Sequence, residues 1–297
     1  MKSERPETLM ESPPPPLPPL IFEQLVRCAL EEDLGRAGDI TTDAIIDIGA
    51  VSEAAFIARE KGVVAGLGVV QSVFQLLDAT TRLNKHVEDG TTVEPGDKIA
   101  TVAGLTRTLL MGERTALNFL CRLSGIATAT AEMVKAVKDY RASIVCTRKT
   151  TPGHRVIEKY AIRVGGGTNH RFGLDDAILI KDNHVLSAGG VINAIQRARA
   201  NAGHLVKIEV EVDTLEQLDA VLQMHPNGAD VVMLDNFAPA KIAEAVKKID
   251  NRMLIEISGG VTKDNIADFA ATGVDLISSG ALTHSTTSLD IGLDFGS

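Results

Sequence analysis

The chain has 297 residues, a formal net charge of −9, 44% hydrophobic and 23% charged residues. This is the make-up of a water-soluble globule with one large or two ordinary domains. The acidic balance, no Trp and only two Tyr argue against nucleic acid as the main partner, since that needs a basic face and stacking platforms.

No apolar run approaches the roughly 20 residues of a membrane span, and the N-terminus lacks the apolar core of a signal peptide. Cys28, Cys121 and Cys146 are an odd number without CxxC spacing, which points to free thiols in a reducing cytoplasm.

Residues 1–20 hold seven of the eleven prolines, Pro13 to Pro16 in a row, and read as a polyproline-like or disordered tail. From Phe22 to Asp33 the pattern is amphipathic and helical, with Phe22, Leu25, Val26, Ala29 and Leu30 on one face. Residues 54–59 and 62–65 read as short strands and 67–77 as a helix. Residues 82–87 and 98–102 read as an antiparallel pair around the turn at Asp89-Gly90. Residues 106–140 form a long helical stretch with an expected break at Ser124-Gly125.

The text then becomes regular. Apolar runs at 144–147, 177–180, 206–212, 230–234, 253–257 and 274–277 flank helical patterns at 191–200, 215–224, 239–249 and 263–271. Six strands alternating with helices imply a parallel sheet, either a closed or nearly closed β/α barrel or an open doubly wound sheet. Polar residues decide for the barrel. The runs finish in Arg148-Lys149, Lys181-Asp182, Glu211 to Asp213, Asp235-Asn236, Ser258-Gly259-Gly260 and Ser278-Ser279-Gly280. A polar group at the end of every strand suits a rim that carries an active site. The glycine-containing ends suit a phosphate on backbone amides. No Gly-x-Gly-x-x-Gly follows a strand, which argues against a dinucleotide domain.

Between Thr147 and His184 stand seven Lys and Arg and three His against four acids. Cations gathered against the sign of the whole chain mark a place that handles anions. Arg supplies a planar fork for carboxylate or phosphate and Lys a point charge. Along residues 208–213, three apolar residues alternate with Glu209, Glu211 and Asp213, so the acids share one side of the strand. Facing inward, they need a cation. Glu211 with Asp235 suits Mg²⁺, and Glu209 is a weaker candidate. His170-Arg171 follow three glycines, where backbone can approach a ligand, although a flexible loop explains the glycines equally well. On spacing alone Arg114 reads as a solvated helix charge, Lys149 and Lys181 as anion partners, and His154 and His184 as loop residues without a metal role. A catalytic Cys146 is set aside.

Together, GERTALNFLCRLSGIAT (112–128), TRKTTPG (147–153), GGGTNHR (165–171), IKDNH (180–184), EVEVD (209–213), MLDNF (233–237), SGG (258–260) and SGALTHS (279–285) resemble the quinolinate phosphoribosyltransferase family. The resemblance runs from about Ile21 to the C-terminus. It implies an α/β chain with an N-terminal α+β open sandwich over 21–115, joined by 285–297, and an incomplete β/α barrel of six or seven strands over 116–284. It implies transfer of phosphoribosyl from phosphoribosyl pyrophosphate to quinolinate with loss of CO₂, Mg²⁺ as cofactor, and a homodimer that completes the active site across its interface through Arg114.

The roles it implies are these. Arg114, Arg148, His170, Arg171 and Lys181 clamp the quinolinate carboxylates, and Thr147 lies beside them. Lys149 faces pyrophosphate, while Glu211 and Asp235 face the ribose hydroxyls and Mg²⁺. Lys149, Lys181, Glu211 and Asp235 form the catalytic set. Ser258, Gly259, Gly260, Ser279, Gly280 and Ala281 take the 5′-phosphate. His154 departs from the family's apolar residue after Pro-Gly, which bears on pH dependence. The alternatives are a molybdenum-transport-associated protein of the same fold, a Schiff-base aldolase using Lys149 or Lys181, and a non-catalytic anion sensor.

Overall fold

The computed structural model of the chain describes residues 14–296, so the first thirteen residues of the proline-rich tail lie outside the described part. Pro14 to Pro18 carry no regular element, and helix α1 (Pro19–Leu34) starts on a proline. The tail therefore ends two residues earlier than its composition suggested. Proline lacks only an N–H that the first helical turn leaves unused, and its fixed φ is already helical. α1 buries Phe22, Val26 and Leu30, one face at helical spacing.

Next come α2 (Ile40–Ile45), capped by the Asp39 side chain on the Thr42 N–H, β1 (Val51–Ala58), β2 (Gly62–Val63) and α3 (Leu67–Leu77). β3 (Arg82–Lys85), β4 (Thr92–Val93), β5 (Lys98–Leu105) and α4 (Thr106–Ala136) follow. The remainder runs β6 (Ser143–Val145), α5 (Arg155–Val164), β7 (Ile178–Ile180), α6 (Asp182–Ala188), α7 (Val191–Asn201) and β8 (Ile208–Val212). It ends with α8 (Leu215–Gln223), β9 (Val231–Asp235), α9 (Pro239–Ile249), β10 (Leu254–Ser258), α10 (Ile266–Ala271), β11 (Leu276–Ser278), α11 (Ala281–His284) and β12 (Ile291–Phe295).

These elements form two units. Of the described residues, the first contains 14–131, 150–166 and 282–296, and the second 132–149 and 167–281. In the first unit an antiparallel sheet runs β12-β1-β5-β3, with β2-β4 as a separate pair. The chain's last strand thus returns to the N-terminal sheet, pairing Phe56 with Leu293. Phe56 and Phe74 meet edge to face at 6.3 Å in its core. Residues 116–131 and 150–166, which the sequence placed with the barrel, belong to this unit.

The expected break in α4 is absent. A Cβ on Gly125 would lie 2.1 Å from the Thr287 carbonyl oxygen. The glycine is there for close backbone approach and not to end the helix. Ser124, fully buried, receives the Ala65 N–H on its Oγ at 3.0 Å.

The second unit is a six-stranded parallel sheet in the order β6-β11-β10-β9-β8-β7. Each strand pairs with its successor and the last returns to the first, so the order is cyclic with a single gap between β6 and β7. That is an incomplete β/α barrel. Strands covered by helices bury an apolar face: Ile208, Val210, Val212, Val232 and Leu234 are fully buried, while Glu209 and Glu211 alternate with them on β8.

Candidate active site

The C-terminal strand ends carry the residues expected there. Thr147, Arg148 and Lys149 follow β6, where the Thr147 hydroxyl accepts the Lys149 N–H at 3.0 Å and turns the chain. His170 and Arg171 follow a parallel bridge from Val145 to Thr168 that extends β6 on its open side. Lys181 leads from β7 into α6, and Glu211 lies on β8. Asp235 and Ser258 end β9 and β10 in direct register. The Ser279 N–H donates to the Val145 carbonyl at 3.1 Å, which fixes the turn into Gly280 and Ala281. Arg114 lies on the long helix, as the sequence reading placed it, exposed on α4 in the first unit.

The basic segment is divided. Arg155, Lys159 and Arg163 lie on α5 and belong to the first unit. There the fully buried Glu158 accepts from Arg122 at 3.0 Å and from the Thr151 hydroxyl at 2.9 Å. Only Arg148, Lys149, Arg171 and Lys181 of the seven cations stand in the barrel unit.

Charges of each sign crowd one another at this rim. Lys181 Nζ is 2.8 Å from Glu211 Oε2. Carboxylate oxygens of Glu211, Asp213 and Asp235 converge within 4.8 Å. Burial first, then the charge of Glu211, pushes the Asp235 carboxyl above its ordinary range, while Lys181 and Lys149 pull it back. Arg171 shows the opposite case. Burial and then Arg148 weaken its hold on its proton, and its Nη1 donates to the Ala177 carbonyl at 3.1 Å. Perturbed groups of both signs at one rim mark a functional site.

Beneath Arg171 lies a cluster that the sequence reading only half found. His170 Nε2 is 2.9 Å from Glu209 and 3.7 Å from Glu256. Both acids are buried, 7% and 1% exposed. The Arg171 N–H donates to His170 Nδ1 at 2.7 Å, which assigns the ring proton to Nε2. Both ring nitrogens thus face protein, so in this geometry neither is turned toward a ligand as a clamp requires. Glu256 was missed. Its one signal was a lone acid inside the apolar run Leu254–Ser258.

Glycine is required at one of the two turns expected to take a phosphate. Gly259 has φ +89°, and a Cβ there would meet Asn236 Oδ1 at 2.1 Å. Asn236, itself at φ 55°, donates its N–H to the Ser258 carbonyl at 3.1 Å. Gly260 at φ +62° has open space beside it, so its backbone can be approached.

The other residues singled out have local roles. The His184 ring accepts the Lys181 N–H at 2.9 Å. The Cys146 thiol is buried against Asn169 Oδ1 at 3.3 Å. His154 stacks on Phe119 at 5.9 Å in the first unit, and burial lowers its proton affinity.

With this geometry in view, comparison with known proteins is decisive. Residues 39–124 match the N-terminal and residues 126–294 the C-terminal domain of quinolinate phosphoribosyl transferase. The chain belongs to the quinolinate phosphoribosyltransferase family.

A carboxylating nicotinate-nucleotide pyrophosphorylase of Mycobacterium leprae is 47% identical over 274 residues, covering 91% of this chain and 95% of that relative. A mitochondrial decarboxylating quinolinate phosphoribosyltransferase of Nicotiana glauca is 38% identical, covering 98% and 87%. The crystal structure of NadC from Streptococcus pyogenes superposes with a TM-score of 0.89 at 42% identity, over 94% of this chain and 98% of that one. The family's fold is the one described above. No helix among the described residues is long and apolar enough to cross a membrane.

Proposed function

We propose that this chain is a phosphoribosyltransferase of NAD biosynthesis. It joins quinolinate to phosphoribosyl pyrophosphate and releases nicotinate mononucleotide, pyrophosphate and CO₂. One observation carries the reading beyond family membership: the two-signed crowding at the strand ends. Burial and then the charge of Arg148 weaken the hold of Arg171 on its proton, and burial and then the charge of Glu211 raise Asp235, so an added anion would relieve the first and an added cation the second. A pyridine with two carboxylates fits the first need, and a metal-bound pyrophosphate on a ribose fits the second.

Each residue then has a task. Arg148, Arg171 and Lys181 hold the quinolinate carboxylates and aim the ring nitrogen at ribose C1. As pyrophosphate leaves, positive charge spreads over the sugar, and the carboxylates of Glu211 and Asp235 stabilise it. Lys149 draws off charge from the departing pyrophosphate. Once the ring nitrogen is quaternary, its positive charge stabilises the electron pair left on the adjacent ring carbon as the carboxylate departs as CO₂, and a proton from solvent then fills that carbon, so no separate electron sink is needed. The turns Ser258-Gly259-Gly260 and Ser279-Gly280-Ala281 present backbone to the 5′-phosphate.

Converging carboxylate oxygens on Glu211, Asp213 and Asp235 fit Mg²⁺, a hard cation that takes oxygen donors together with substrate phosphates. Glu211 and Asp235 would hold it. When bound, it neutralises charge on the pyrophosphate.

The active unit is a homodimer in which Arg114 reaches the partner's barrel. Exposed Ile40, Ile45, Ile48 and Val51 in the first unit support a covered surface there. Three free cysteines support a reducing cytoplasm. The aldolase alternative gains no support at Lys181, whose Nζ is engaged by Glu211 at 2.8 Å.

The test is mass spectrometry of purified protein with quinolinate, phosphoribosyl pyrophosphate and Mg²⁺. Nicotinate mononucleotide and CO₂ in equal amounts are expected. Ligand binding without product would point to an anion sensor.

A further inference from the structure

Two buried carboxyl groups below the rim have no task in the reaction as described. Glu209 on β8 and Glu256 on β10 are as inaccessible as the apolar core around them. Burying like charges together is costly, and a well-packed apolar pair would be neutral or more stable at such a place. Their persistence needs a reason other than stability. The contacts supply one.

Glu209 Oε2 faces His170 Nε2 at 2.9 Å, and Glu256 Oε1 stands 3.7 Å from the same nitrogen. On its other side the ring accepts the Arg171 N–H at 2.7 Å. The acids therefore fix the ring, and the ring fixes the main chain of Arg171. We propose that Glu209 and Glu256 are positioning residues which, through His170, set the Arg171 main chain and so the guanidinium that receives a quinolinate carboxylate. This rests on the function proposed above and adds two residues to it.

The two acids contribute differently. Among the described residues the Oε1 atoms of both receive no hydrogen bond, and His170 Nε2 meets Glu209 at 2.9 Å as a close contact and not as an aligned hydrogen bond. Burial first, and then the charge of Glu209, pushes Glu256 up to about 7. Glu256 therefore keeps its proton more readily than an exposed carboxyl does. Glu256 thus acts by its shape beneath the ring at 3.7 Å, and Glu209 by its 2.9 Å contact with His170 Nε2. The pair also keeps a negative charge under Arg171, whose cation Glu209 favours against Arg148.

The test uses full-length Glu209→Gln, Glu256→Ala and Glu256→Gln, with steady-state kinetics for each substrate and urea unfolding of each protein. Glu209→Gln and Glu256→Ala should raise KM for quinolinate about tenfold while KM for phosphoribosyl pyrophosphate stays within about twofold, the signature of lost binding at one end of the site. Glu256→Gln should recover most of that loss, because an amide keeps the shape. If Glu256→Ala does not fold, the contrast between Glu209→Gln and Glu256→Gln carries the same decision. Equal shifts in both KM values, or no shift in an active enzyme, would overturn the positioning role. So would a transition-metal ion that copurifies with wild type and is lost in Glu209→Gln, since the three side chains would then be its ligands. Wild-type protein that forms no nicotinate mononucleotide would instead overturn the function reading, and this inference with it.

Discussion

Asp230 stands just before β9 and Asp235 ends it, five residues along one stretch of chain. At the lower rim, Asp230 lies 2.9 Å from Arg199, 3.0 Å from Lys207 and 2.9 Å from the Ile208 N–H that donates to it. Those hydrogen bonds and cations hold its carboxyl below the usual range despite burial. Asp275, before β11, repeats the arrangement with Arg141 and the Ile255 N–H. At the upper rim, Asp235 and Glu256 are pushed the other way, by burial and by neighbouring carboxylates.

One rim has each charge matched within the protein. The other crowds like charges beside one another, Arg148 against Arg171 and Glu211 against Asp235, so that a ligand of opposite charge would relieve them. The difference also explains a cleft of about 430 Å³ at the lower rim, lined by Arg141, Lys207, Arg252 and Asp275. It is large enough for a small ligand, but its cations are already engaged by acids and carbonyls.

The largest effect that could break this comparison is on catalysis. Asp235→Asn should lower kcat/KM by about 10²–10³-fold, the scale of one preorganised electrostatic group. Unfolding in urea should show it as stable as wild type or more so, since removing crowded charge trades activity for stability. A matching loss of stability would contradict the account.

The converse variant is Asp230→Asn. It should lose about 1–3 kcal/mol of unfolding free energy, because a half-matched ion cluster and backbone donor are left behind. Its kcat/KM should stay within about twofold of wild type, since Asp230 touches nothing at the upper rim.

The pH dependence of stability sharpens the contrast, because the rims act with opposite sign. Asp230 has a lowered folded value, so its contribution is complete above the ordinary 3.8 and is lost as pH falls through the folded value. Glu256 runs the other way. Between 4.5 and about 7 the unfolded chain has released a proton that the fold retains, so stability falls as pH rises through that window. Urea titrations across pH should show the acid-side slope reduced in Asp230→Asn and the neutral-side slope reduced in Glu256→Gln.

The smallest effect lies outside the barrel. His154, half-buried against Phe119, has a lowered folded value, so its contribution is present above 6.5 and fades as pH falls below it. His154→Phe should flatten stability below pH 6.5 while the pH profile of kcat stays unchanged.

Much of this was legible in the sequence because strand ends are where alternation stops. Apolar runs closing on Lys181, Glu211, Asp235 and Ser258 located both the barrel and its working rim. Helix α5 was not legible, because its cations read as part of an anion site. Its buried Glu158 and Lys159 depend on partners distant in sequence, such as Arg122. Gly125 was misread for a similar reason. A glycine that breaks a helix and one that admits a crossing chain at Thr287 look identical in text. Glu256 was hidden by its apolar neighbours, and its meaning appears only when β10 and β8 bring it beside Glu209 and His170.

The most direct test is a crystal structure with quinolinate bound. The account predicts the pyridine at the upper rim, its carboxylates on Arg148, Arg171 and Lys181. Quinolinate seated in the lower cleft on Arg141, Lys207 or Arg252 would contradict it.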